Sequence, residues 1–142
     1  MSKTSVRVAI KEDGIDPSAL IAEVGRPDAG ATALFLGTAR DHSDGKEGVT
    51  HLEYEAYREH VESSLRAIVD DALQHWPVLS VAVEHRVGIV DVGQPSVAVA
   101  VSSAHRNDAF EAARFLIDEL KLRATIWKRE HWPGGAEWVE GA

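Results

Sequence analysis

The stretch from Val97 to Arg129 constrains this chain more than any other: VAVAVSSAHRNDAFEAARFLIDELKLRATIWKR. Val97–Val101 is short, apolar and β-branched, which suits a buried strand. Ser102, Ser103 and Ala104 lead to His105 and Arg106. Asn107 or Asp108 can then cap a helix, and Asp108 with Glu111 fits a capping box. Ala109, Phe110, Ala113, Leu116, Ile117 and Leu120 recur at helical spacing and predict the buried stripe of that helix. Lys121 falls in its last turn, and a short strand, Ala124–Trp127, runs into Lys128 and Arg129.

This arrangement places His105 and Arg106 where a strand feeds a helix N-terminus, whose free N–H groups favour an anion. If the strand after the helix folds back along the sheet, Lys121, Lys128, His105 and Arg106 meet in one basic pocket. Alternation puts Lys128 on the face of Ala124 and Ile126, and Arg129 with Thr125 and Trp127, so Lys128 is the one expected to turn inward. Two close lysines disfavour each other's charge, so at least one pKa should fall. A neutral lysine is a nucleophile or general base, and a charged neighbour stabilises developing anionic charge. Arg40, after the strand Ala31–Thr38, is a further anion clamp. Glu53 and Glu55 are candidate acid partners. The ordinary alternatives are a helix-end lysine placed by the dipole, a solvated run at Lys128–Glu130 and a core histidine at 105.

The rest of the chain reads as scaffold. Val6–Lys11 is a first strand; Asp16 caps a short helix with Pro17 at its first position, and Gly25 stops it. Ala31–Thr38 is an apolar strand in which Gly37 marks a bulge or a close backbone approach. A polar loop from Ser43 to Gly48 follows. Val49–Tyr57 alternates, with Leu52, Tyr54 and Ala56 on one face. Arg58 or Glu59 opens the longest helix, whose stripe runs from Val61 to Trp76 and which Pro77 ends. Val78–His85 and Val87–Val92 are strands around Gly88, and the tail from His131 is a turn followed by an edge strand. Three of the four tryptophans lie in the last sixteen residues, and such residues favour interfaces. No glycine-rich phosphate loop and no βα repeat is present, so an α+β fold with a mixed, largely antiparallel sheet fits best.

Composition narrows the function. The 142 residues predict one domain, 1–142, with a sizeable core. A net charge of −8 argues against general nucleic-acid affinity and makes a local basic cluster more informative. There is no cysteine, so any sulfur chemistry uses sulfur brought by a partner. The seven histidines are scattered without metal-ligand spacing; neither a metal nor a cofactor is expected. No signal peptide or membrane span is read, and a cytoplasmic location is the default expectation.

Several short motifs, in order, resemble the large (catalytic) subunit of molybdopterin synthase, the MoaE family, over about residues 30–139. They are FLGTARDHSDG near Arg40, LEYEAY at Leu52–Tyr57, HRVG at His85–Gly88, SSAHR at Ser102–Arg106, AFEAARFLIDELK up to Lys121 and IWKRE around Lys128. The resemblance implies an α/β hammerhead-like fold with a small second subdomain. It implies an enzyme that converts a cyclic pyranopterin monophosphate, precursor Z, into molybdopterin, taking sulfur from the thiocarboxylate on the C-terminal Gly-Gly of a small ubiquitin-like subunit. It implies a homodimer of large subunits within a heterotetramer, with a pocket that borrows residues across the dimer. Lys121 then matches the critical nucleophile or general base, and Lys128 orients and stabilises. His105 and Arg106 match substrate-pocket residues, and Arg40 would reach the substrate from the loop side, from the other protomer. One departure is Ala142, which falls about where the family carries a further phosphate-site arginine. Two other readings stay open: a non-catalytic module gripping a glycine-rich tail at a sheet edge, and a related enzyme acting on another phosphorylated small molecule.

Overall fold

The structure, a computed structural model, describes residues 3–43 and 46–141. Asp44 and Gly45 of the expected polar loop, and Ala142, lie outside the described residues. The chain runs β1 (Ser5–Lys11), α1 (Pro17–Val24), β2 (Ala31–Thr38), β3 (His42–Ser43), β4 (Lys46–Glu47), β5 (His51–Ala56), α2 (Arg58–His75), β6 (Val78–Arg86), β7 (Gly88–Asp91), β8 (Pro95–Ser103), α3 (Arg106–Arg123), β9 (Ile126–Trp132) and β10 (Gly135–Glu140).

A first sheet has the order β1-β6-β8-β2 and a second β10-β9-β5-β7, while β3 and β4 pair as a separate hairpin. Among the described residues only β1 and β6 pair in parallel. The architecture is therefore α+β and largely antiparallel, as the sequence implies.

The first sheet is covered on both faces, which is why β8 reads as a nearly unbroken apolar run. On one face α1 sets Leu20 and Val24 against the small side chains Ala82, Ala98 and Ala100. On the other, Val81, Val83, Val97, Val99 and Val101 meet Leu65, Ile68 and Val69 of α2 and Leu116 and Leu120 of α3. Asp16 caps α1 through its carboxylate, which accepts from the Ser18 and Ala19 amides at 3.0 and 3.3 Å, and Gly25 is the C-cap. Between the sheets the chain turns through Gly88 (φ 85°) and Gly93 (φ 88°), a left-handed backbone that glycine adopts without a Cβ clash.

Several local expectations change. α3 begins at Arg106, with His105 as an N-cap that makes no side-chain cap bond, rather than at a box formed by Asp108 and Glu111. Glu111 instead accepts from Trp76 Nε1 at 2.8 Å. Phe110 is not on the buried stripe: it is 67% exposed, and Ala112 takes the inner position. β9 extends to Trp132, past the expected end at Trp127, because polar inward residues hide its alternation. Where a polar loop is expected over Ser43–Gly48, His42–Ser43 pairs antiparallel with Lys46–Glu47. Among the described residues no helix is long and apolar enough to cross a membrane.

Candidate active site

α3 leaves the C-terminal end of β8 and runs back over the sheet, so its last turn carries Lys121 above the start of β8. The Ala124 amide closes the helix on the Leu120 carbonyl at 3.0 Å, and β9 begins two residues later. Ile126 and Glu130 of β9 are buried, and Lys128 alternates with them on the inner face. Opposite Lys128, in register on β5, stands Tyr54.

These elements enclose a cavity of about 350 Å³. Lys121 and Lys128 line it, with Leu52 and Tyr54 from β5 and Ser96 and Val97 from β8. Arg40 and the hairpin residues His42 and Ser43 close it from the side. The end of β2 comes close because residue 37 is glycine: a Cβ there would stand 2.6 Å from Val97 Cγ1. The β2–β8 register shifts between Gly37 and Thr38, and the Ser96 hydroxyl donates to the Gly37 carbonyl at 3.3 Å. Gly37 thus provides both the close approach and the bulge that its position suggests.

The electrostatics favour an anionic guest. Burial holds the Lys121 pKa below the ordinary lysine value, and the charge of Lys128 lowers it further. Burial likewise pushes the Tyr54 phenol up, against a hydrogen bond with Ser96. Glu130, 4% exposed, is the acid partner inside the cavity. Burial pushes its pKa up, but hydrogen bonds from Lys46 and Ser43 and the charges of Lys128 and Lys46 outweigh this, leaving it below the usual carboxylate value. Lys46 Nζ lies 2.8 Å from both Glu130 and Glu137, which ties the hairpin to β9 and β10. The negative charge of Glu130 is therefore largely answered from outside, and Arg40, Lys121 and Lys128 leave the cavity net cationic.

His105 and Arg106 are not in this cavity. They line a second one of about 430 Å³ with Gly30, Ala104 and Asn107. The expected meeting of all four basic residues within one chain fails for a geometric reason. Arg106 opens α3 and Lys121 lies in its last turn, so the helix rise of about 1.5 Å per residue separates them by roughly 22 Å. Arg40, expected to act across a dimer, lines the cavity of its own chain. Glu53 and Glu55 are not acid partners of the lysines; they point to the outer face of the second sheet, where Glu53 Oε1 lies 3.4 Å from His131 Nε2. Tyr54, Ser96 and Glu130 also line the cavity, and the sequence reading misses them as site residues. The alternation that turned Lys128 inward also turns Glu130 inward, and that signal was available. Among the described residues no group of three His, Asp or Glu side chains is placed to hold a metal ion.

Comparison with known proteins shows the family to which this fold belongs. The family model described as "MoaE protein" matches residues 10–123. A molybdopterin synthase catalytic subunit from Thermoplasma volcanium is 49% identical over 123 residues, 87% of this chain and 89% of that protein. One from Halalkalibacterium halodurans is 40% identical over 136 residues, 96% of this chain and 86% of that protein. Among solved structures, molybdopterin synthase from Staphylococcus aureus superposes with a TM-score of 0.86 at 32% identity, covering 92% of this chain and 94% of that one. A complex of subunits 1 and 2 of molybdopterin-converting factor from Helicobacter pylori shares the fold at 20% identity, with a TM-score of 0.77 over 93% of this chain and 89% of that one. With a family model that matches most of its length and relatives of this identity along nearly all of it, the chain belongs to the MoaE protein family.

Proposed function

We propose that this chain is the catalytic subunit of a molybdopterin synthase. It converts the cyclic pyranopterin monophosphate precursor Z into molybdopterin, taking each sulfur from the C-terminal thiocarboxylate of a small ubiquitin-like subunit. The observation that carries this reading is the enclosed cavity in which Lys121 and Lys128 converge with Arg40. Lys121, its pKa lowered by burial and by Lys128, is the nucleophile or general base at the thiocarboxyl carbonyl. Lys128 stabilises the oxyanion that forms there, and Arg40 holds an anionic oxygen of the substrate. Once the thiocarboxylate sulfur is bonded to the pterin, the acyl–sulfur bond breaks and the sulfur leaves on the pterin. As nucleophile Lys121 displaces it and forms an amide with the partner's terminal glycine, which water then hydrolyses to free the lysine. As base Lys121 takes a proton from the water that cleaves the acyl–sulfur bond directly. Mass spectrometry of the quenched reaction separates the two routes.

His105 and Arg106 complete the phosphate site, in this reading, from the partner subunit of a homodimer. Support comes from the topology. β2 is an outermost strand of its sheet. Its first residue, Ala31, pairs with Ser103 beside the His105 end, and its last, Thr38, pairs with Pro95 beside the lysine cavity. A two-fold axis across the middle of β2 sets the start of one β2 against the end of the other, and so each chain's arginine end against its partner's lysine end. The exposed side chains Phe35 and Phe110, which share an apolar groove, lie along that edge.

The test is a reconstituted reaction of the protein with precursor Z and a thiocarboxylated small subunit, read out as dithiolene product beside Lys121→Ala. Product from the native chain and none from the variant is expected. No product from a folded native chain that binds the small subunit overturns the reading.

A further inference from the structure

Behind the lysine cavity lies a histidine to which no role has been given. His85 ends the inward-facing row Val81, Val83, His85 of β6 and pairs in register with Val97, which lines the cavity. Its side chain is fully buried, at 0% exposure. The ring stands edge-on to Tyr54, another cavity residue, with centroids 5.1 Å apart at 72°. Nδ1 lies 2.8 Å from the Arg86 carbonyl oxygen. A carbonyl only accepts, so Nδ1 carries the proton and Nε2 presents a bare lone pair. Nε2 is buried and makes no hydrogen bond to the described residues. An apolar side chain would fill this position without leaving an acceptor unsatisfied, so the buried acceptor calls for a reason.

The charged and titratable groups around it are few. Tyr54 packs against the ring from β5, and Lys121 reaches it electrostatically from α3. Arg86 contributes its backbone carbonyl. Lys128, Glu130, Arg40 and His42 line the same cavity as Tyr54 and Lys121. Of these, Lys121 is the donor whose charge His85 senses. Burial, opposed by the Arg86 contact and assisted by Lys121, keeps the imidazole neutral down to about pH 4, so its lone pair is available throughout the working range.

We propose that His85 is a positioning residue for Lys121: its Nε2 accepts an N–H from the lysine in an inward side-chain conformation that the free chain already samples, and so aims the amine at the carbonyl. This role rests on Lys121 being the reactive amine of the reading above. It needs no change in the protonation of His85, only a fixed tautomer, which the Arg86 carbonyl supplies.

Competitive acetylation of the full chain with acetic anhydride across pH, with Lys121 followed by peptide mass spectrometry, tests this without substrate or partner. In His85→Leu the ammonium loses an acceptor, and the labelling midpoint of Lys121 should move to lower pH by about one unit, on the scale of one charge-assisted hydrogen bond. In His85→Gln, whose side-chain oxygen can accept, it should stay near the native midpoint. In the reconstituted reaction His85→Leu should lower kcat several-fold with KM unchanged. An unshifted Lys121 midpoint in a folded His85→Leu overturns the proposal, as does an equal shift in both variants. If the variants do not fold, 15N NMR of the native chain decides. The His85 Nε2 resonance should move in Lys121→Met, and an unmoved resonance overturns the role. A failed labelling or NMR test removes the role of His85 alone, whereas a failed native reaction removes the synthase reading and leaves these measurements standing.

Discussion

The two ends of α3 carry the same sign of charge in opposite settings. At the C-terminal end Lys121 lines a cleft walled by two sheets, a bulged strand and the strand pair β3–β4, where it is partly desolvated although it keeps access to solvent. At the N-terminal end His105 and Arg106 are exposed beside the first helical turn. Enclosure alters chemistry: burial and a second lysine lower the Lys121 pKa, which makes a neutral amine accessible. The open end has no such leverage; it offers charge and free N–H groups, which suit holding an anion rather than reacting with one. One helix thus separates the two basic sites by its own length, and in the dimer proposed above a second copy of the chain brings the two kinds together.

The largest expected effect that bears on this contrast is Lys121→Ala. Loss of a nucleophile or general base costs about 10²–10⁴-fold in turnover, with little change in melting temperature, since Lys121 borders the cavity and is not part of the apolar core. Turnover within tenfold of native would break the contrast at its reactive end.

The enclosed end should also be sensitive to acid. His85 keeps its pKa near 4 in the fold, mainly through burial, against about 6.5 in an unfolded chain. Between these values the unfolded chain binds a proton that the folded chain refuses. Stability should therefore be full above pH 6.5 and fall by about 3 kcal/mol as the pH drops to 4. Denaturant titrations at stepped pH measure this, and His85→Leu should flatten the slope in that window.

At the open end Arg106→Ala removes a charge-assisted contact, and KM for the phosphorylated substrate should rise roughly tenfold, with a smaller change in kcat. Mixed dimers sharpen the point. At substrate well below KM, where Arg106→Ala alone is nearly inactive, a Lys121→Ala chain paired with an Arg106→Ala chain holds one intact composite site and should recover about half of native activity, as the two-fold arrangement requires. No recovery in a verified mixed dimer would show that each chain uses its own His105 and Arg106.

The smallest effect belongs to Phe110, near the open end and 67% exposed. Phe110→Ala should change the unfolding free energy of the isolated chain by less than about 0.5 kcal/mol. A loss above about 2 kcal/mol in denaturant unfolding would mean that the ring is packed within its own chain.

Much of the fold was legible residue by residue. β2 has the bounds its apolar run implies, and α1 has the cap and stop that Asp16 and Gly25 announce. α2 follows its stripe from Val61 to Ala72. Where local reading failed, a distant group had won. Glu111 fits a capping box, but the Trp76 indole takes its carboxylate. Phe110 sits at the margin of the helical stripe, and the strip of sheet beneath α3 ends at β2, an outermost strand, so among the described residues the ring is left largely exposed. β9 runs on because Lys128 and Glu130 point into a cavity, where polar residues inside break the usual pattern of apolar inside and polar outside.

By itself the sequence determined the identities and the periodic faces: a buried β8, a helix with lysine in its last turn, a second lysine turned inward, and no cysteine to supply sulfur. These follow from local rules, chain stereochemistry and alternation, which act over a few residues. Which of the basic residues meet was decided only by the tertiary structure. The register of Tyr54 on Lys128, the bulge at Gly37 against Val97 and the span of α3 bring Arg40 to the lysines and keep Arg106 away, because the distance between side chains depends on how elements cross and not on how far apart they lie along the chain.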